Sequence, residues 1–380
     1  MKKLILYAIL LLGISLPSSA RILSKDATIY VLTCSPGAEL YSVFGHSAIR
    51  IKDQANKLDI VFNYGTFDFD TENFYIKYAQ GLLPYQLSIN SYKNFVASYV
   101  YENRSVYSQE LLLDSLNRQK LFDALIENHQ PENRTYLYNF LYDNCSTRIR
   151  DIIEDNNADS VVWNTANVGK NFWNLLDEYL SRMQWVKWGI HTILGQPGVR
   201  EANTHEYMFL PDYLMNGLDS ATVNGERLVG EIQVMYEAQP EEICNPWYCS
   251  PWFVFSLCTL LLIFCIQRFN TSWVLKGIAL PLFLVTGLMG CLFIFLGYFT
   301  KHPITAPNLN LIWGNPLNLV VVPFLLKKKL PYYINTYLNY YAFILLLGIP
   351  AWFIALPAVP IDSLVLIVLM IYLSYKLKKL

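Results

Sequence analysis

Two short segments hold the residues best suited to chemistry. In Tyr41-Ser42-Val43-Phe44-Gly45-His46-Ser47-Ala48-Ile49-Arg50-Ile51, a glycine sets His46 at the entry of an apolar-alternating stretch. In Tyr142-Asp143-Asn144-Cys145-Ser146-Thr147-Arg148-Ile149-Arg150-Asp151, Asp143 and Asn144 are both good helix caps, so Cys145 falls in the first turn of an expected helix. A helix N-terminus favours negative charge, and Arg148 and Arg150 lie nearby, so the thiol pKa is expected to be depressed. A thiolate beside an imidazole is the activated nucleophile of cysteine acyl-transfer enzymes. The Asn144 amide, Arg148 and the first-turn N–H groups offer support for a tetrahedral oxyanion. Tyr41 and Tyr64 are candidates for substrate contact. Other readings stay open from residue types alone. Cys145 could be buried or bonded to Cys34, and a histidine on a strand is usually a core or surface residue.

The elements that must position this pair are partly legible. Residues 27–33 are apolar and β-branched and read as a strand; 46–51 and 58–64 read as a strand pair joined by the polar stretch 52–57. Weaker strand signals lie at 84–89 and 105–113. Asp114 or Ser115 opens a helix with Leu116, Leu121, Leu125 and Ile126 on one face, ended by Pro131. A second helix is expected over 144–154, where Ile149, Ile152 and Ile153 recur at helical spacing. Amphipathic patches follow around 172–183 and 185–194. The expected class is a mixed α+β domain over residues 21–250.

That domain sits in a chain built for a membrane. Of 380 residues 53% are hydrophobic and 16% charged, well under the share of a soluble protein, with mean hydropathy +0.26. The net charge of −1 hides a split: residues 21–250 carry a net −11 and residues 251–380 a net +8. No broad basic face is offered to nucleic acid, which excludes that class of partner. Residues 1–20 read as an export signal: Lys2 and Lys3, an apolar run, then Pro17-Ser18-Ser19-Ala20. After Pro251 five spans are expected, at 252–267, 273–299, 309–326, 337–356 and 361–375. With 21–250 outside, eight of the nine basic residues beyond 250 fall inside and only Lys301 outside, as the positive-inside rule requires. Cys258, Cys265 and Cys291 lie in spans as packing residues. Cys244 and Cys249, just outside the first span, are placed for a local disulfide in an oxidising compartment, or for two free thiols. No CxxC or HExxH occurs and the five histidines are scattered, so neither a metal nor another cofactor is expected.

The order of His46 on a strand followed by Asn144-Cys145 opening a helix resembles the permuted papain-like (NlpC-type) fold of the lecithin–retinol acyltransferase group, where histidine precedes cysteine. More closely, and over nearly the whole chain, the sequence resembles the Lnb-type lipoprotein N-acyltransferases. The likeness rests on residues 44–50, on Asn63-Tyr64-Gly65-Thr66-Phe67-Asp68-Phe69, on Asp143-Asn144-Cys145 and on the segment 303–316. It implies a permuted papain-like exported domain followed by an all-α transmembrane domain, in the bacterial cytoplasmic membrane with the N-terminal part in the periplasm. In such sites a third polar group orients the histidine from the following strand. Asn63 matches that position, though it also reads as a turn residue before Gly65. The implied reaction moves an acyl chain from a membrane phospholipid through a Cys145 thioester to the amino group of diacylglyceryl lipoproteins.

The tail segment has its own physics. His302, Asn308, Asn310, Trp313 and Asn315 are expected at the outer membrane surface, where unpaired amides are costly. Either they line a site for lipid headgroup or peptide, or they hydrogen-bond between helices. Two rival functions share the same sequence: a membrane-tethered cysteine hydrolase of peptidoglycan or lipid, and a non-enzymatic membrane scaffold. Five spans exceed what a tether requires.

Overall fold

The computed structural model describes residues 22–157, 159–166, 169–240, 245–355 and 359–379. The expected export signal and Cys244 lie outside the described residues.

The N-terminal part is organised around a seven-stranded antiparallel sheet. Its strands are β1 (Thr28–Cys34), β2 (His46–Asp53), β3 (Leu58–Thr66), β4 (Pro84–Ser91), β5 (Val106–Glu110), β6 (Thr135–Leu137) and β7 (Gln233–Tyr236), in the spatial order β7-β5-β1-β2-β3-β4-β6. Alternation decides the faces. Ile29, Val31, Ile49, Ile51 and Phe62 pack against Leu121, Phe122, Leu125, Ile149 and Ile153. The opposite face, with Leu32, Ala48, Val61 and Val106, is covered by Phe95 and Tyr99. Helix α1 (Phe74–Gln80) follows β3, and α2 (Tyr92–Tyr101), capped by the Ser91 side chain, follows β4. Helix α3 (Ser115–Asn128) is capped by Asp114 and ends before Pro131. Helix α4 (Cys145–Asp155) is the expected cysteine helix, shifted by one residue because Asn144 is its cap. Helices α5 (Phe172–Leu180), α6 (Gln184–Ile193) and α7 (Pro211–Ser220) follow, with a short helical turn at Thr204–Tyr207 and a second, three-stranded sheet of Val161–Val162, Thr222–Val223 and Glu226–Arg227. Helices α1, α2 and α7 and strands β6 and β7 are not expected from the sequence; the two strands are only three and four residues long, too short to show a period.

The C-terminal part is helical: α8 (Pro251–Phe269), α9 (Ser272–Tyr298), α10 (Asn318–Leu325), α11 (Tyr332–Ala355) and α12 (Ser363–Leu377). Among the described residues, α8 and α9 are long and apolar enough to cross a membrane. The third expected span, 309–326, is corrected: it is a 3₁₀ turn at Leu309–Ile312, a proline-containing coil, and the eight residues of α10. Such a helix rises about 12 Å, well short of a bilayer. The segment descends instead along three glycines of α9. A Cβ at Gly297 would lie 3.0 Å from Ala306 Cβ, one at Gly290 would lie 2.5 Å from Pro316 Cδ, and one at Gly287 would lie 2.6 Å from Leu319 Cγ. At the end of this descent Lys276 Nζ donates to the carbonyls of Lys327 (2.5 Å) and Lys328 (3.2 Å), so these basic residues share one level. Non-helical backbone at such depth is tolerated where protein covers it. Here Asn318 Nδ2 donates to Thr286 Oγ1 (2.9 Å) and Tyr337 OH donates to Asn318 Oδ1 (2.7 Å).

The two parts are stitched together. Asn308 Nδ2 donates to the carbonyls of Thr192 and Ile193 (3.0 Å each), capping α6, and Asn310 Nδ2 donates to Thr192 (3.1 Å). Gly195 and Gln196 N–H donate to Ile304 and Pro307 carbonyls (2.7 Å each). Trp188 Nε1 donates to Ser363 Oγ at 3.0 Å.

Candidate active site

β1 and β2 pair so that Cys34 faces His46 across the ladder. Gly45, just before, has φ +80°, and a Cβ there would lie 2.8 Å from the Cys34 carbonyl oxygen. Only glycine fits, which explains the Gly-His pair. Asn63, on the neighbouring β3, starts a bulge that runs to Thr66. Bulges re-aim side chains near active sites, and Asn63 Oδ1 accepts from His46 Nε2 at 2.5 Å. The Tyr99 ring lies nearly parallel to the imidazole, with ring centroids 6.4 Å apart.

Cys145 arrives from α4. The Asn144 side chain accepts from the N–H groups of Ser146 (2.9 Å) and Thr147 (3.0 Å), while Thr147 Oγ1 accepts from Asn144 N–H (2.8 Å), a reciprocal capping box. The Cys145 side chain hydrogen-bonds the His46 imidazole and accepts from the Ser47 N–H. Burial pushes this thiol up, but the His46 charge and hydrogen bond, the Ser47 N–H and the Ser146 hydroxyl together hold it below the usual thiol value. His46 is correspondingly raised: burial lowers it, and the Cys145 charge and the Asn63 hydrogen bond outweigh that. Cys34 is the contrast, a buried thiol driven far up by desolvation. Both are free thiols, so no Cys34–Cys145 disulfide forms.

Two expected oxyanion donors turn out to be engaged elsewhere. Asn144 Nδ2 donates to the carbonyls of Phe140 (2.8 Å) and Phe209 (2.7 Å), so its amide is not free. Arg148 forms a two-pronged pair with Asp143 (2.5 and 2.8 Å) and lies 3.6 Å from the centroid of the Tyr136 ring. With the Ser146 and Thr147 N–H groups taken by the cap, the first turn leaves the Cys145 N–H. A second donor, which sequence reading missed, is the Tyr136 hydroxyl, buried and without a hydrogen-bond partner. Gly65, at φ +86°, keeps the space between them open. A Cβ there would lie 3.8 Å from Cys145 Cβ, 3.8 Å from the Tyr138 ring and 4.0 Å from the Tyr136 hydroxyl. Cys145 itself is 7% exposed.

The other expected residues are placed as follows. Tyr41 is 76% exposed on the loop before β2, and Tyr64 is a core residue whose hydroxyl donates to Asn128 Oδ1 at 2.7 Å. Of the tail residues, His302, Asn308 and Asn310 bond to the N-terminal part, and Trp313 and Asn315 bond within their own segment. His302 Nε2 donates to the Ala79 carbonyl (3.1 Å), Trp313 Nε1 donates to Asn310 Oδ1 (2.8 Å), and Asn315 Oδ1 accepts from Leu317 N–H (2.9 Å). Cys249 is exposed before α8. One group of three ligand-type side chains exists among the described residues, Asp151, Glu154 and His205. It is occupied by its own pairs: His205 with Glu154 (3.2 Å) and Asp151 with Arg150 (2.6 Å).

The fold and site thus define a membrane protein with an antiparallel α+β domain that carries a buried thiol beside a half-buried imidazole and amide. Residues 19–178 match the Lnb N-terminal periplasmic domain and residues 239–380 the Lnb transmembrane domain. The chain belongs to the Lnb family, whose role is lipoprotein N-acyltransferase-like, in the inner membrane with a periplasmic N-terminal domain. No curated protein and no solved structure matches the chain.

Proposed function

We propose that this protein transfers a fatty acyl chain from a membrane phospholipid to the α-amino group of the diacylglyceryl-cysteine of lipoproteins, through a thioester on Cys145. The observation that carries this reading is the Cys145–His46–Asn63 line, set at the sheet end whose following segment bonds to the membrane part. Asn63 accepts from Nε2–H, which leaves Nδ1 as the basic nitrogen for the thiol proton. The thiolate attacks the ester carbonyl, and the Cys145 N–H and Tyr136 hydroxyl meet the oxyanion. Collapse breaks the acyl C–O bond, and the His46 imidazolium protonates the departing lysophospholipid oxygen. The lipoprotein amine then attacks the thioester, His46 takes the amine's proton, and the thiolate leaves. The donor ester supplies the activation, so neither metal nor nucleotide enters the reaction.

The histidine-before-cysteine order on an antiparallel sheet supports a permuted papain-like arrangement over residues 21–250, with residues 1–20 as export signal. The charge asymmetry of residues 251–380 supports a multi-pass tail with its basic ends in the cytoplasm. Intact mass with phospholipid supplied and acceptor withheld tests the reading. Wild type is expected to gain one acyl chain, released by neutral hydroxylamine, and Cys145→Ser to lose transfer by at least about 10³-fold. No adduct on the wild type would reject the transferase and favour a hydrolase or scaffold.

A further inference from the structure

Helix α1 has no buried residue. A seven-residue helix has little stability of its own in water, and most helices in proteins are held by packing of an apolar face. Yet α1 and the residues just before it expose large apolar side chains, Phe69 73%, Tyr75 80%, Ile76 59% and Tyr78 55%, among the charged Asp68, Asp70, Glu72 and Lys77. It is also anchored at the outer end of α9. Lys301 N–H donates to the Gln80 carbonyl (2.8 Å), His302 Nε2 donates to the Ala79 carbonyl, and a Cβ at Gly81 would lie 3.1 Å from the His302 nitrogen. Because α9 ends at Tyr298, three residues before this contact, the patch lies where the bilayer surface must be.

The same aromatic residues run inward without a break. Phe69 and Tyr78 flank Phe74 at 5.1 and 6.4 Å, Phe74 meets Phe67 at 5.8 Å, Phe67 meets Tyr85 at 5.2 Å, and Tyr85 stacks on Tyr138 at 4.4 Å. Tyr138 borders the opening that Gly65 leaves beside Cys145.

We propose that segment 67–82 rests in the outer leaflet and that its chain of rings guides a phospholipid acyl chain from the bilayer to Cys145. The acyl-path half rests on the acyl-transfer reading above; the leaflet contact does not. Aromatic and aliphatic side chains on a short helix beside a membrane end are the chemistry that seats in the headgroup–acyl boundary. A protein partner would also cover an apolar patch. The continuity of this one with the end of α9, and its single inward run to the thiol, favour lipid.

The full-length protein in phosphatidylethanolamine vesicles, with a benzoylphenylalanine photocrosslinker at position 75 or 76, tests the contact without any turnover. Phospholipid adducts are expected at both positions and not at Leu116, which is 63% exposed but lies at the opposite end of the sheet. The double variant Phe69→Asp/Ile76→Asp is expected to form thioester from vesicle phospholipid at least about tenfold more slowly, a change equivalent to about 1.4 kcal/mol. It is expected to react normally with soluble p-nitrophenyl butyrate. Absence of lipid adducts at 75 and 76, adducts to protein in their place, or wild-type use of vesicle phospholipid by the double variant overturns the proposal. Wild-type protein that crosslinks lipid but forms no thioester from either ester overturns the acyl path through failure of the transferase reading, and is distinguished by that pattern.

Discussion

At Cys145 two opposing effects meet, and their balance sets the chemistry. Desolvation alone would keep the thiol neutral, as it does at Cys34; the imidazole and two further donors reverse the outcome. Both shifts, the thiol down and the imidazole up, favour a thiolate–imidazolium pair. It is lost to thiolate protonation as pH falls and to imidazolium deprotonation as pH rises. Iodoacetamide labelling of Cys145, read by peptide mass at neutral pH, is therefore expected to be about tenfold or more faster in wild type than in His46→Ala. Identical profiles, both rising only near the ordinary thiol value, would rule out the pair. Gly65→Ala tests the opening beside the thiol. Its φ of +86° makes any side chain cost about 1–2 kcal/mol, and the new methyl occupies the gap between Cys145, Tyr138 and Tyr136. A small drop in unfolding temperature is expected, with thioester formation lost but iodoacetamide labelling kept.

Helix α4 owes its position to one cap. Asn144 satisfies two first-turn N–H groups through its oxygen and two loop carbonyls through its nitrogen, so it fixes both where the helix starts and how the 140 and 209 loops lie against it. Asn144→Ala is expected to cost about 2–3 kcal/mol, a lost cap plus orphaned carbonyls. Asn144→Asp keeps the cap oxygen and not the donors, and should fall between. Chemical denaturation of the full chain in detergent measures both, and equal stability of the alanine variant and wild type would refute the assignment. The cap residues before Cys145 were legible because capping is local chemistry. The occupation of its amide was not, since Phe209 is 65 residues away. Helix α1 was invisible because its apolar residues face outward, against the pattern that marks a soluble helix.

Across the whole molecule, the third segment of the membrane part is a strap ending in the short helix α10 rather than one long span, and it packs along glycines of α9. Gly290→Ala is expected to lower the unfolding temperature in detergent, by the equivalent of about 1–3 kcal/mol, because its Cβ would meet Pro316 and the Gly314 carbonyl. Gly277→Ala, with open space around it, should be neutral or slightly stabilising through helix propensity. Matching shifts in the two variants would disprove the strap packing. The same strap carries Asn308 and Asn310 to the end of α6, so its placement also sets how the periplasmic domain stands on the membrane part.

Local rules were enough for the sequence to specify the split between an acidic α+β part and a basic apolar part, the strands 46–53 and 58–66 within a residue or two, and the capped cysteine helix. Alternation, capping and positive-inside charge act over a few residues and can be read along the chain. What brought His46, Asn63 and Cys145 together is strand pairing and helix packing across 99 residues, and these depend on contacts no local pattern encodes. Tertiary structure likewise decided that the Asn144 and Arg148 donors are engaged, that the Tyr136 hydroxyl is free, and that the tail asparagines hold two domains together. A buried polar group's role follows from which partners surround it, and those partners come from distant parts of the chain.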